Sequence, residues 1–343
     1  MIYCIAIKAV GMSLTASPPA SASGQFRALW FLGPGNAAIL PETFATRSGD
    51  GVCLVRSFYS AVSSGSERLV LAGRVPPDLH PAMRVPYMAG DFTFPVKYGY
   101  SLVGRVEQGP RDVLGRVVHL MHPHQDLCTV KAADVFPVPD DVPPARAPLA
   151  SNLETAVTAV WDARPALGER VLVVGFGYIG ALIGQLLRGM PGIDLHILEV
   201  EERRMQCALE MGYELAEPGG AEFDLAFHSS GSPAGLQEAL DRVGMEGRVV
   251  EVSWYGTAET TLRLGGSFHS KRKTIIASQV STLPAFQTPR WDRRRRKQLV
   301  FSLLRDPAFD RLLGDPIPFE QLPEFFNRPS SGRGTIAPMV AYK

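Results

Sequence analysis

Three glycines carry the clearest chemistry in this chain. In VLVVGFGYIG, residues 171–180, Gly175, Gly177 and Gly180 satisfy Gly-x-Gly-x-x-Gly directly after the apolar run Val171 to Val174. Gly175 permits a tight turn, Gly177 lets backbone approach a pyrophosphate, and Gly180 lets a helix pack closely on the strand. The amides around Phe176, Gly177, Tyr178 and Ile179 open that helix, whose positive end favours phosphate charge. Glu199 follows Gly180 by 19 residues, at the end of ILE in the next apolar segment. An acidic side chain there accepts from both hydroxyls of an adenine ribose and repels a 2′-phosphate, so the pattern favours NAD over NADP. Arg203 and Arg204 stand close by, and an arginine can pair with that phosphate, which leaves NADP as the less favoured alternative. The competing reading is a glycine-rich turn that binds nothing. The strand before, the helix after and the acid at the right distance weigh against it.

These residues need a sheet and helices to hold them. From 170 to 255 the chain alternates strand and helix: RVLVVGF, a helix from Tyr178, DLHILEV, a helix over Glu201–Met211, FDLAFHSSG, a helix over Pro233–Val243, and GRVVEVSWYG. Alternation at this spacing predicts βαβ units and a doubly wound parallel sheet, an α/β fold. In FHSSG, His228 and Ser230 are expected beside the cofactor. Before this region the texture differs. From Phe26 to about Ala147, short β-rich runs such as CLVRSFYSAV (53–62), YSLVGRVEQG (100–109) and GRVVHLM (115–121) are separated by Gly, Pro and Asp. VPDDVPPARAP (138–148) is a Pro-rich connection, and Leu153 to Ala163 has helical periodicity. A helix over roughly Asp292–Leu304 and a final strand in GTIAPMVAYK complete the pattern, the strand expected to return to the first unit.

The expected organisation is therefore a leader at 1–25, a β-rich unit at 26–150, a nucleotide-binding unit at 151–285, and a helix with the return strand at 286–343. The leader holds TASPPASASG, a low-complexity stretch unable to bury enough apolar surface to fold. It reads as a flexible tail, with Met12 as an alternative start and a cleaved signal as the lesser alternative.

At 343 residues the chain suits about two domains. Lys plus Arg (35) against Asp plus Glu (34) leaves a net charge of +1, which implies no nucleic-acid or anionic-membrane partner. No window approaches the ~20 apolar residues of a membrane span. Cys4, Cys53, Cys128 and Cys207 are scattered and form no Cys-x-x-Cys pair, which argues against a zinc cluster and fits a reducing, cytoplasmic setting. The run WDRRRRK (291–297) reads as the solvated face of a helix whose Leu299, Val300, Leu303 and Leu304 pack inward.

The order of these parts resembles the medium-chain dehydrogenase/reductase superfamily, which includes zinc alcohol dehydrogenases and quinone oxidoreductases. The family's Gly-Ile-Cys-x-x-Asp is matched by SAVSSGSE (60–67), its Gly-His-Glu-x-x-Gly by GYSLVG (99–104), its Gly-Asp-x-Val by GRVV (115–118), and its Thr-Ala segment by SNLETAV (151–157), which adds Thr155 to the expected cofactor contacts. The resemblance implies a GroES-like substrate unit and an oxidoreductase activity. It also exposes departures: Ser63 stands where the zinc-ligand Cys would be, Tyr100 for the His, Ser101 for the adjacent Glu, and Ser151 or Asn152 for the third ligand. Zinc is held by thiolate, imidazole or carboxylate, so neither a catalytic nor a structural zinc is expected. The texture is similar to the zinc-free subgroup around hydroxyethyl bacteriochlorophyllide dehydrogenase.

Without zinc, another group must polarise the substrate oxygen and move its proton. On segments that the resemblance places at the cleft, His122 and His124 are candidates because imidazole titrates near neutrality. Tyr100 and Glu67 are candidates as helpers. Each has a bland alternative: a surface turn around Pro123 for the histidines, core filling for Tyr100, and structural pairing for Glu67 and, more so, Glu154. The expected function is zinc-independent hydride transfer between NAD(H) and a small alcohol or carbonyl compound, with a homodimer as the candidate assembly. The alternatives are an NADPH-dependent quinone or enone reductase and a non-catalytic NAD-binding protein.

Overall fold

The computed structural model describes residues 26–42, 51–217, 219–220, 222–328 and 336–343, so the expectations for the leader, Met12 and Cys4 lie outside the described residues. The first half is β-rich: β1 (Phe26–Gly33), β2 (Asn36–Glu42), β3 (Val52–Ala61), β4 (Ala89–Gly90), β5 (Val96–Lys97), β6 (Leu102–Gln108), β7 (Val117–Leu120), β8 (Leu127–Lys131) and β9 (Phe136–Pro137). One helix, α1 (Ser64–Leu71), follows directly on β3. The longest strand, β3, alternates buried Cys53 and Val55 with more exposed neighbours, as a strand with one face on a core must. It pairs antiparallel with both β6 and β8.

The helix α2 (Ala150–Ala163) leads into six strands, β10 (Arg170–Val174), β11 (Asp194–Leu198), β12 (Glu214–Leu215), β13 (Phe223–His228), β14 (Val243–Glu251) and β15 (Thr274–Ala277). Their order across the sheet is β12-β11-β10-β13-β14-β15 and every pairing is parallel. This is the doubly wound dinucleotide-binding order, in which the crevice lies where the chain reverses direction beside β10 and β13. Val171, Leu172, Val173 and Val174 are all buried, because a central parallel strand has both faces covered. Intervening helices are α3 (Tyr178–Arg188), α4 (Glu202–Glu210), α5 (Pro233–Arg242) and α6 (Ser267–Ser270). No helix among the described residues is long and apolar enough to cross a membrane.

The last elements are α7 (Arg293–Leu303), β16 (Ile317–Pro318), α8 (Leu322–Asn327) and β17 (Met339–Ala341). Strand β17 pairs antiparallel with β3, Val340 opposite Ser60, and so the C-terminal residues complete the seven-stranded sheet of the β-rich unit. The helix α7 corrects one expectation. Arg293, Arg294 and Arg295 are exposed, but Arg296 and Lys297 are buried. Arg296 donates to Thr158 Oγ1 at 2.9 Å and to the Val280 carbonyl at 2.8 Å, and both cations pair with the buried Glu154 of α2. Two of the five cations of the basic run therefore form an internal clamp between α2 and α7. Glu154 is its anion.

Candidate functional site

The phosphate cradle is built by clash avoidance. Gly175 has φ +93°, and a Cβ there would sit 2.8 Å from the Ser230 backbone. A Cβ on Gly180 would lie 1.9 Å from the Gly175 carbonyl oxygen, which is how closely α3 is drawn onto β10. At Gly177 the first obstacle to a Cβ is the tip of Arg204, at 3.8 Å, so an open space remains above the start of α3. Glu199 closes the cradle from β11. Its carboxylate accepts from the amides of Phe176 (2.7 Å), Val200 (2.8 Å) and Glu201 (3.0 Å). Three accepted bonds leave lone-pair capacity on a carboxylate. Arg204 pairs with Glu201 at 3.1 Å and stands over the glycine loop.

The cradle opens into a cleft of ≈ 490 Å³ lined by both the nucleotide-binding and the β-rich parts of the chain. Gly177, Tyr178, Ile179, Arg204, Thr155 and Ser230 line it from the nucleotide-binding side, and Ser63, Ser64, Ser66 and Tyr100 from the β-rich side. Of the residues expected at the cofactor, Phe176 turns its ring inward, edge-on against Tyr213, and its amide donates to Glu199. His228 lies buried behind Ser230. Its Nδ1 donates to Glu251 at 2.8 Å, and Ser230 Oγ donates to its Nε2 at 2.7 Å.

The four residues expected to do proton chemistry separate. Tyr100 is on the cleft wall, beside the Ser63 and Ser66 hydroxyls, and burial pushes its phenol up to about 12. His122, His124 and Glu67 are not on that wall. His122 is turned into the β-rich core, where its Nδ1 donates to the Pro123 carbonyl at 2.9 Å and its ring stacks on Tyr87. Burial lowers its pKa to about 3. The cleft-facing placement expected of the HPH segment is thus corrected for both rings, since His122 and His124 are buried among β-rich partners and neither lines the cleft. His124 and Glu67 form a buried relay one layer behind the wall. Tyr342 OH and Ser60 Oγ lie 2.9 Å apart, Ser60 Oγ and His124 Nδ1 share a hydrogen bond of 2.7 Å, His124 Nε2 donates to Glu67 at 2.8 Å, and Glu67 accepts the Ser63 amide at 2.8 Å. That chain fixes the start of α1 and, through it, Ser63 and Tyr100.

The positions at which the resemblance would place a catalytic zinc come together around the inner end of the cleft as Ser63, Tyr100 and Asn152, with Ser101 and Ser151 committed elsewhere. Ser101 Oγ donates to the Pro148 carbonyl at 2.6 Å and Ser151 Oγ to the Tyr100 carbonyl at 2.8 Å. Hydroxyls and an amide are poor donors for zinc, so this set does not fit the metal. Among the described residues, Asp194, His196 and Glu214 could bring ligand atoms within 4.8 Å of one another. They sit at the opposite end of β11 and β12 from the glycine loop.

No family model matches the chain. It superposes, however, on L-idonate 5-dehydrogenase from Escherichia coli with a TM-score of 0.73 and 16% identity, covering 93% of this chain and 98% of that one. The fold is that of the medium-chain dehydrogenases. Two curated relatives carry the same likeness in sequence. One is (R,R)-butanediol dehydrogenase of Bacillus subtilis, 29% identical over 139 residues, 36% of this chain and 40% of that protein. The other is 2-desacetyl-2-hydroxyethyl bacteriochlorophyllide A dehydrogenase of Rhodobacter capsulatus, 25% identical over 260 residues, 68% of this chain and 75% of that protein. The chain thus matches well under half the length of the first relative and three-quarters of the second. Within the medium-chain dehydrogenase fold, Tyr178 is the site residue that sequence reasoning undervalued. Read as a contributor of its amide, it also places a large aromatic side chain in the core while its residue lines the cleft. The available signal was its size, between two glycines that the motif requires to be small.

Proposed function

We propose that this protein is an oxidoreductase that transfers a hydride between NAD(H) and a small alcohol or carbonyl compound, and that it does so without a catalytic zinc. The observation that carries the reading is the continuity of the glycine cradle, the Glu199 carboxylate and the cleft, which Gly177, Ile179, Tyr100 and Ser63 all line. Glu199 supports NAD, since its carboxylate is held in place by three amides and keeps acceptor capacity for ribose hydroxyls. When bound, the nicotinamide supplies the hydride acceptor or donor. The amides that open α3 would hold the pyrophosphate, and Thr155 and Ile179 line the space left for the rest of the dinucleotide. The donor set at the inner end supports zinc independence, and the free Cys53, Cys128 and Cys207 support a reducing, cytoplasmic setting.

Fluorescence titration with NADH and NADPH tests the cofactor assignment. NADH binds more tightly than NADPH, and Glu199→Ala weakens NADH by roughly 1.5–3 kcal/mol, the scale of hydrogen bonds to a charged group. Arg204 makes NADPH a stringent control, because its guanidinium is placed to pair with a 2′-phosphate; equal or tighter NADPH binding overturns the assignment. Elemental analysis finding one zinc per chain overturns the metal-free reading.

A further inference from the structure

His228 and Glu251 pair with each other at the C-terminal ends of two adjacent parallel strands, β13 and β14, the end of an open α/β sheet at which ligands bind. Glu251 is held on both oxygens: Oε1 accepts the Ser253 amide at 2.6 Å and Oε2 the Tyr255 hydroxyl at 3.1 Å. A carboxylate only accepts, so the 2.8 Å bond from Oε2 to the imidazole makes His228 Nδ1 the donor. The neutral ring then keeps a lone pair on Nε2, and Ser230 Oγ commits its hydrogen there at 2.7 Å. One lone pair of that hydroxyl receives the Ser232 amide at 3.2 Å. Among the described residues nothing takes the second. His228 is fully buried, but Ser230 is exposed and lines the cleft, so this lone pair is open to a ligand.

Ser230 has a counterpart across the glycine loop. The sheet order β11-β10-β13 places Glu199 on one side of that loop and Ser230 on the other. Glu199 holds the Phe176 amide, and Ser230 packs so closely on Gly175 that a Cβ there would lie 2.8 Å from its backbone. A dinucleotide has the same order of parts, with one ribose on either side of its pyrophosphate. Pyrophosphate on the amides that open α3, and one ribose on Glu199, direct the other ribose toward Ser230. We infer that Ser230 is a hydrogen-bond acceptor for a hydroxyl of that second ribose, and that His228 and Glu251 are positioning residues that hold it in that role. This rests on the reading that the cleft binds NAD(H). A phosphate oxygen has no hydrogen to give, so a serine fixed as an acceptor also disfavours a pyrophosphate that slips off the glycine loop toward β13.

The test uses the full chain and compares ADP-ribose, which carries the second ribose, with ADP, which lacks it, and with NADH. The expected result is that Ser230→Ala weakens ADP-ribose and NADH about two- to tenfold, the scale of one neutral hydrogen bond, and changes ADP less than about twofold. Glu251→Gln tests the relay. The Ser253 amide needs an acceptor at Oε1, so the glutamine turns its nitrogen toward His228 Nδ1. The ring hydrogen then moves to Nε2, which donates to Ser230 and fills the lone pair meant for the ribose. Glu251→Gln therefore repeats the selective ADP-ribose loss with Ser230 itself intact. Nitrogen NMR of histidine-labelled protein, with His228 assigned by its absence in His228→Gln, shows the Nδ1–H tautomer in the parent and the Nε2–H tautomer in Glu251→Gln. A merely structural pair does not produce that coupled reversal. Ser230 is exposed, so Ser230→Ala and the parent spectrum decide the matter even where Glu251→Gln does not fold. An equal loss for ADP and ADP-ribose in Ser230→Ala, no loss for either, or a parent ring that is doubly protonated or Nε2–H overturns the inference and leaves the cofactor reading intact. Failure to bind NADH and ADP-ribose refutes the cofactor reading, and the inference with it.

Discussion

Lowering the pH reads the environment of His122 directly. Its ring is buried, donates from Nδ1 to the Pro123 carbonyl, and titrates at about 3 because burial strips water from the cation, with Lys97 and His124 adding to the same effect. In an unfolded chain imidazole titrates near ~6.5. The folded value lies below the unfolded one, so the unfolded state binds the extra proton first. Stability is complete above about pH 6.5 and is lost as pH falls, at up to ~1.4 kcal/mol per unit, until the folded ring itself titrates. Between roughly pH 6.5 and 5 this one ring costs about 2 kcal/mol. His119, buried against Phe301 with its pKa also lowered by burial, acts in the same direction. The assay is the denaturant midpoint of parent and His122→Asn at closely spaced pH values, since the Asn amide can keep the bond to Pro123 without titrating. The parent loses more stability than the variant across that interval by about 2 kcal/mol. Parallel curves for the two proteins would refute the buried neutral imidazole. Such a ring also adds no ionisation of its own to activity near neutrality, so a turnover profile that loses a limb in His122→Asn contradicts it too.

Gly180→Ala drives a methyl to within 1.9 Å of the Gly175 carbonyl oxygen, a backbone obstacle that cannot rotate away. The variant should lose roughly 1–3 kcal/mol or more as α3 lifts from β10, with NADH affinity falling alongside; unchanged Tm and affinity would show the packing to be looser than described. Glu67→Ala strands two buried donors, His124 Nε2 and the Ser63 amide. A loss of roughly 2–5 kcal/mol in thermal or denaturant unfolding is expected, and one under about 1 kcal/mol would show that the relay does not anchor α1.

What the sequence made legible follows from how local each signal is. The glycine fingerprint, the apolar Val171–Val174 and the acid at 199 lie within 29 consecutive residues, and short-range sterics decide their fold. The helix at the basic run was equally visible, but its burial was not, because Glu154 lies 142 residues from Arg296 and nothing local marks the pairing. The HPH segment shows the same limit. Its two imidazoles are two residues apart and meet different surroundings, His124 facing Ser60 and Glu67, His122 facing Tyr87 and Cys128. Which way each ring points is decided by β3, α1 and β8 once they pack, and periodicity carries no information about that. Tyr178 lies between these cases: its position was plain, while the lack of a hydrogen-bond partner for its buried hydroxyl among the described residues exists only in three dimensions.

The pairing of β17 with β3 bears on how the chain is made. The parallel sheet is contiguous from Arg170 to Ala277, so all its strands can assemble as soon as they have left the ribosome. The seven-stranded sheet cannot close until Met339–Ala341 arrive, some 280 residues after the strand they join. During that interval the edge of β3 that awaits them is unpaired, with Ser60 and Ala61 open to other strands. The β-rich unit is synthesised first and finished last, and this nascent edge is where the molecule is most exposed to mispairing and to chaperone capture.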